Sequence, residues 1–282
     1  MEIVLLLLGG VGAGVFGSLL GLGGGVLIVP LLTLGAGLPI REAVGVSLVC
    51  VIVNSGAAAG VFLRRRAANL RLGMMLELST AAGALVGGLI AFLLADRVLA
   101  GLFAILLGYV ALTMLRASTR PAPPPAAATP AEPAGHRASI APPARRDTFT
   151  DRLSGPGYTV RRLVPGSLGG LGAGVVSALL GIGGGIIMVP VMNLVMGVPL
   201  RVATATSNLI LGVTATASAV IYLMRGGIDA YVAAPTAIGV FLGASFGSRI
   251  VGRVDVRVLR LLFVVVMLYV AVQMVQRALG VS

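Results

Sequence analysis

Charged residues are scarce in this sequence, which excludes most soluble protein classes. They make up 11% of the 282 residues, whereas hydrophobic residues make up 57%. Soluble domains carry roughly 25% charged residues, and the mean hydropathy here is +1.05. The composition therefore predicts a polytopic membrane protein.

Residues that commonly bind metals or carry out catalysis are almost missing as well. The chain has one cysteine, Cys50, and one histidine, His136. The apolar segments offer only Cys50 and Glu77 as ligands, which is too few for a zinc or transition-metal site. The glycine runs lead into apolar residues and lack the Lys and Ser or Thr of a nucleotide-binding loop. We therefore expect no metal, no cofactor and no enzymatic activity.

Lysine is absent, and all 21 basic residues are arginine. The net charge of +12 could indicate a nucleic-acid partner. The arginines flank apolar segments, however, and do not form a basic surface interleaved with aromatic residues. Such flanking charge sets the orientation of membrane segments, so the expected surroundings are membrane lipid and not nucleic acid.

What the sequence does contain is a duplicated glycine run. The stretch 20–30, which reads LGLGGGVLIVP, returns 160 residues later as 180–190, LGIGGGIIMVP. From Gly12 to Pro30, 12 of 19 positions are identical to their partners, which indicates an internal duplication. In each copy three adjacent glycines interrupt an apolar segment.

The apolar segments predict the fold class. In each half the segment after the glycines (26–36 and 186–196) is too short to cross a bilayer, which takes about 20 residues as a helix. A broken helix within a membrane requires protein or a water-filled cavity around its freed backbone groups. We predict an all-α polytopic membrane protein of two repeats, each with a glycine-broken, re-entrant helical segment and three long transmembrane helices.

A change in composition separates the two repeats. Residues 117–162 hold 9 of the 15 prolines and many of the arginines, and they include His136. Such a segment buries too little apolar surface to fold, so we expect an extended linker. The predicted organisation is a first membrane repeat (1–116), a cytoplasmic linker (117–162) and a second membrane repeat (163–282).

Arginine counts in the short loops predict opposite orientations for the two halves. The loop 64–71 has four arginines, whereas its counterpart in the second half has only Arg225. The next loop reverses the bias, with Arg97 alone in the first half and four arginines between 249 and 260 in the second. Cytoplasmic loops are arginine-rich, so we predict inverted repeats in the inner (cytoplasmic) membrane. A parallel arrangement of four helices plus four is the alternative.

The residues that carry these features resemble a known family. The run 21–25 with Pro30, its copy 181–185 with Pro190, and the stretches 43–47 and 203–208 are similar to the TauE/SafE family of sulfite exporters and related anion permeases. The resemblance implies a membrane permease, expected to act as an exporter, for sulfite, a sulfonate or another organic or sulfur-containing oxyanion. Such a protein would work by alternating access around a midplane site between the repeats.

The residues also indicate an anion site directly. Glycines allow backbone conformations that turn successive N–H groups toward one point, and hydroxyl or amide side chains could complete the site. Small polar residues also serve helix packing, which is the alternative interpretation. The candidate substrate-binding residues are Gly23, Gly24, Gly25, Ser47, Asn54, Gly183, Gly184, Gly185, Thr206, Ser207 and Asn208.

Three further expectations concern coupling, packing and assembly. Glu77 is the carboxylate within an apolar segment and is a candidate for proton coupling. Gly83 with Gly87, and Gly243 with Gly247, have the spacing of helix-packing faces. The expected partners are a small anion and membrane lipid. The sequence does not decide whether the chain forms a homo-oligomer. The alternative function is a non-transporting membrane scaffold whose glycine motifs serve packing alone.

Overall fold

The computed structural model describes residues 2–20, 23–64, 68–119, 153–154, 158–250 and 256–279. Within these ranges the regular structure is helical, as predicted. The helices of the first half are α1 (Glu2–Leu20), α2 (Gly25–Pro30), α3 (Ile40–Arg64), α4 (Leu70–Leu93) and α5 (Asp96–Thr119). Those of the second half are α6 (Leu163–Leu180), α7 (Gly185–Pro190), α8 (Leu200–Met224), α9 (Ala230–Ile250) and α10 (Val256–Leu279).

Six of these helices are long and apolar enough to cross a membrane by length and composition. They are α3, α4, α5, α6, α8 and α9. Large apolar side chains cover their outer surfaces: Leu78 is 80% exposed and Leu93 is 84% exposed. Exposed apolar surface on this scale would be unfavourable in water and suits contact with lipid chains.

Each glycine run separates two helices because its backbone leaves the helical region. Gly24, directly before α2, has φ 76°, and its equivalent Gly184, before α7, has φ 77°. Residues with a Cβ rarely adopt this left-handed conformation, whereas glycine does so at little cost. The predicted interruption is therefore present in both halves.

A π-helical turn follows each of the two short helices. The turns cover Leu31–Gly35 and Val191–Val195, directly after Pro30 and Pro190. Proline has no N–H to donate to the preceding turn, so the hydrogen-bond register shifts there. In the first half the Thr33 hydroxyl donates to the Val29 carbonyl at 2.9 Å. The Arg277 guanidinium of α10 donates to the Thr33 carbonyl at 2.7 Å.

The helices of the two halves pack against each other in reciprocal pairs. Helix α1 packs on α9, and its equivalent α6 packs on α4. The central helices α3 and α8 are equivalent and pack on each other, as do α5 and α10. This reciprocal pairing is the pattern that a two-fold rotation between the halves would give. The rotation axis can lie in the membrane plane or along its normal, so the inverted orientation stays a prediction.

In the α4–α6 and α1–α9 pairs the two helices approach each other closely at glycines, as the small-residue spacing predicted. A Cβ on Gly83 of α4 would lie 2.0 Å from the Leu171 carbonyl oxygen of α6. A Cβ on Gly243 of α9 would lie 2.1 Å from the Val11 carbonyl oxygen of α1. These distances leave no room for a side chain, so both glycines are packing residues.

Most of the predicted linker lies outside the described residues. The described part near its end packs against the membrane helices. The Asn69 amide donates to the Leu153 carbonyl at 2.7 Å and to the Tyr158 hydroxyl at 2.8 Å. Leu153 and Val160 are buried in a cluster with α4, α6, α7 and α8 residues. The end of the linker thus lies against the start of α4.

Candidate functional site

The two glycine runs, which are 160 residues apart in sequence, contact each other. A Cβ on Gly25 would lie 2.4 Å from the Gly181 carbonyl oxygen and 3.0 Å from the Ile182 Cα. Val51 of α3 and Leu211 of α8 pack against the runs from both sides. The absence of side chains on the glycines allows this backbone contact. The breaks in the two halves thus form one region.

Ser47 of α3 holds this contact together. It is fully buried, and its hydroxyl donates to the Gly181 carbonyl of the other half at 2.7 Å. The Gly25 carbonyl oxygen lies 3.3 Å from the same hydroxyl. A hydroxyl has one hydrogen to donate, and here that hydrogen is used within the protein.

Ser207, the repeat equivalent of Ser47, is in a different situation. Its hydroxyl is fully buried and has no hydrogen-bond partner among the described residues. It lies next to the second glycine run, 3.4 Å from the position of a Cβ on Gly185. Among the described residues, these two serines at equivalent repeat positions thus differ in whether their hydroxyl has a partner.

A small cavity lies at the second glycine run, between α4, α6, α7 and α8. The space in this cavity that the centre of a water molecule can occupy is about 10 Å³. This is close to the smallest volume that holds one water. The cavity is lined by apolar residues together with three hydroxyl side chains. Its lining residues are Thr80, Ala173, Gly174, Gly183, Gly184, Met188, Ser207, Ile210, Leu211 and Thr214.

Two of the three hydroxyls that line the cavity belong to a hydrogen-bonded chain that reaches Glu77. Thr214 of α8 lies 3.2 Å from the Glu77 carboxylate and 3.0 Å from the Thr80 hydroxyl of α4. Thr80 in turn donates to the Glu77 backbone carbonyl at 3.0 Å. Glu77, the candidate for proton coupling, is therefore one hydroxyl away from the cavity.

The other predicted polar residues make contacts that support the helices. Thr206 accepts the Asn69 backbone N–H at 2.9 Å, which fixes the start of α4. The Asn208 side-chain amide donates to the Thr204 backbone carbonyl at 3.0 Å. The Asn208 backbone carbonyl accepts a hydrogen bond from the Ser55 hydroxyl at 2.5 Å.

Asn54 differs from these residues because its side chain is unpaired. It is fully buried, and neither its oxygen nor its nitrogen has a partner among the described residues. Its repeat equivalent is Thr214, which bonds to Glu77 and Thr80. The repeat equivalents of that pair on α9 are Ala237 and Val240, which carry no hydrogen-bonding group.

Two residues near the second glycine run were not predicted from the sequence. Thr80 lines the cavity, and its position three residues after Glu77 on a helix was a usable signal. Ser177 is fully buried and has no side-chain partner in the described part of the chain. Its Cβ lies 3.3 Å from the position of a Cβ on Gly184. The repeat equivalent of Ser177 is Gly17, so the duplication gave no signal for it.

Comparisons with known proteins agree with this architecture. The family model described as "Sulfite exporter TauE/SafE" matches residues 6–274. The chain is also similar to the "Probable membrane transporter protein YunE" of Bacillus subtilis (strain 168), with 25% identity over 283 residues that cover 98% of each chain. No solved structure matches the chain. A family match over nearly the whole length, on a chain of apolar helices, shows that this protein belongs to the TauE/SafE family of membrane transporters.

Proposed function

We propose that the chain is an inner-membrane permease for a small anion such as sulfite, a sulfonate or another organic or sulfur-containing oxyanion, with export as the expected direction. The observation that carries this proposal is the buried hydroxyl of Ser207 beside Gly183 and Gly184, which has no partner in the part of the chain that the structure describes. The family to which the chain belongs supports transport as the activity.

The Ser207 hydroxyl is energetically costly unless a ligand uses it. Leaving a buried polar group without a partner costs roughly 1–3 kcal/mol of stability. Such groups are rare in native proteins and call for an explanation, a functional role among them. An oxyanion accepts hydrogen bonds, so an oxygen atom of the substrate would satisfy Ser207.

The glycines that line the cavity favour close approach of a ligand to the backbone. Gly183 and Gly184 line the cavity and have φ values of 80° and 77°. Without side chains they leave their peptide groups accessible to a small ligand. A site of this kind holds an anion through hydrogen-bond donors and needs no buried lysine or arginine.

The two halves contribute differently to the proposed site. Ser207 and the second glycine run contribute directly to binding, with Thr214 as a further hydroxyl. Ser47 and the first run, including Gly23, Gly24 and Gly25, support the second run by holding its backbone in place. Thr206 and Asn208 fix the surrounding helices.

The small size of the cavity supports alternating access. A volume near 10 Å³ accommodates about one water, so sulfite requires the helices around it to separate. The α4–α6 and α1–α9 contacts each join the two halves, so rocking one half against the other would open the site to one side at a time.

The experiment that tests this function also separates it from the scaffold alternative. Purified protein is heated with sulfite or with chloride at matched ionic strength. We expect sulfite to raise the unfolding midpoint, because a ligand at 100 times its Kd stabilises the folded state by about 2.7 kcal/mol. A scaffold whose glycines serve packing alone would give the same midpoint in both salts.

A further inference from the structure

The hydroxyl chain beside the cavity joins Glu77 to the proposed anion site. This inference rests on the proposed function and names its coupling ion. Glu77 is half-buried in α4, seven residues after the helix begins. Thr80 and Thr214, which connect it to the cavity, are each 2% exposed. The carboxylate therefore interacts with the cavity through protein groups and not through bulk water.

The hydrogens in this chain are limited in number. Thr80 donates its one hydrogen to the Glu77 carbonyl, so the Thr80 oxygen can only accept from Thr214. Thr214 has one hydrogen and three neighbours that can accept it: Thr80, the Glu77 carboxylate and a ligand in the cavity. The protonation state of Glu77 decides where that hydrogen goes.

When Glu77 is ionised, it attracts the Thr214 hydrogen, and the Thr214 oxygen then presents only lone pairs to the cavity. The negative charge also repels an anion there. An ionised Glu77 therefore opposes anion binding in two ways.

When Glu77 is protonated, its own hydrogen goes to the Thr214 oxygen. The Thr214 hydrogen is then free to be donated to an anion in the cavity, beside that of Ser207. The negative charge is removed at the same time. Protonation thus adds a donor and removes the repulsion.

The other titratable groups on α4 and on the two helices packed against it are few. Helix α6, which packs on α4, has no titratable residue between 163 and 180. Helix α8 carries Tyr222, whose hydroxyl donates to the Ala178 carbonyl, and Arg201, whose side chain lies outside the described residues. On α4 itself, Arg71 lies six residues before Glu77, near the helix start.

We propose that Glu77 takes up one proton from solution as an anion enters the cavity, and that proton and anion cross the membrane together. The proton resides on the Glu77 carboxyl while the anion is bound, and both are released on the other side. By reciprocity, bound anion promotes proton uptake as much as protonation promotes anion binding. The repeat-equivalent position lacks this device, because Ala237 and Val240 of α9 stand where α4 has Glu77 and Thr80.

The test counts protons taken up on sulfite binding. Titration calorimetry of the purified full chain is run at mildly alkaline pH in two buffers with different ionisation heats. Sulfite itself binds protons, so the informative quantity is the difference between the parent and Glu77→Gln. We expect the parent to take up close to one proton more per bound anion than Glu77→Gln. Thr214→Val, which removes the linking hydroxyl and keeps the side-chain shape, should also take up fewer protons than the parent.

The matched control is Glu42→Gln, which makes the same chemical change in the first turn of α3. It should behave as the parent. Equal proton uptake by the parent and Glu77→Gln, with sulfite bound by both, would overturn the coupling role and leave the proposed function intact. Absence of sulfite binding in the parent would overturn sulfite as the substrate and the coupling of its transport to Glu77.

Discussion

The Ser47 hydroxyl of the first half donates a hydrogen bond to the Gly181 carbonyl of the second half at 2.7 Å. This bond ties α3 to the backbone break that precedes α7. Because Ser47 is fully buried, no water replaces the bond when it is removed. The contact makes the geometry of the second glycine run depend on a residue in the first half.

Ser47→Ala should therefore lower stability. It leaves the buried Gly181 carbonyl without its donor, at a cost of about 1–3 kcal/mol. The unfolding midpoint of the purified protein without sulfite measures this change. Ser207→Ala is the matched comparison, and it should leave the midpoint unchanged or raise it, because its hydroxyl has no partner among the described residues and its burial is costly. Equal midpoints for Ser47→Ala and the parent would mean that the bond does not stabilise the junction.

Gly83→Ala should disrupt the contact between the halves. Its Cβ would lie 2.0 Å from a backbone oxygen of α6, so the two helices must move apart. Overpacking of this kind costs typically about 1–3 kcal/mol. Gly108→Ala in α5 is the control, since nothing lies within 4 Å of its Cβ. The fraction of protein that remains monodisperse in detergent after heating compares the two variants. A Gly83→Ala protein as stable as Gly108→Ala would contradict the packing geometry.

The helical segments and the close contacts between them could be predicted from sequence. Apolar length and glycine spacing determine both features locally. The left-handed glycines at 24 and 184 were also predictable, because three adjacent glycines in an apolar segment have few other structural uses. These features depend on short stretches of chain and not on the distant surroundings.

The difference between Ser47 and Ser207 could not be predicted. Both serines occupy the same position of the repeat, so the duplication made them equal candidates. What separates them is that Ser47 reaches the Gly181 carbonyl of the other half, whereas no residue in the described part of the chain pairs with Ser207. That depends on helix packing between residues more than 130 positions apart. The link from Glu77 through Thr214 to Thr80 also joins distant segments and has no local sequence signature.

The inverted orientation of the halves predicts which loops are accessible from each side of the membrane. Single cysteines are placed at Ala126, Tyr231 and Arg253 in a protein whose native Cys50 is replaced by alanine. Tyr231 follows the α8–α9 loop and is 91% exposed. A membrane-impermeant thiol reagent should label the Tyr231 position from outside intact cells. The positions at 126 and 253 should be labelled only after the membrane is opened.

The parallel alternative makes a different prediction for the same variants. Labelling of the Tyr231 and Arg253 positions from one side would contradict the inverted arrangement. The labelling of Ala126 then reports the side on which the linker lies, independently of the second half.

The measurement that tests the central claim most directly is counterflow of radiolabelled sulfite. Proteoliposomes loaded with unlabelled sulfite are placed in a trace of labelled sulfite, and uptake is followed for the parent and for Ser207→Ala. Thr216→Ala serves as the control, because it removes an exposed hydroxyl from the same helix. A hydrogen bond to a charged group is worth about 1.5–3 kcal/mol, or roughly ten-fold to more than a hundred-fold in affinity. We expect the parent and Thr216→Ala to accumulate label. Ser207→Ala should need roughly ten-fold to more than a hundred-fold more sulfite to reach the same rate of uptake. Absence of counterflow in the parent would contradict sulfite transport, and equal sulfite dependence in Ser207→Ala would contradict the proposed site.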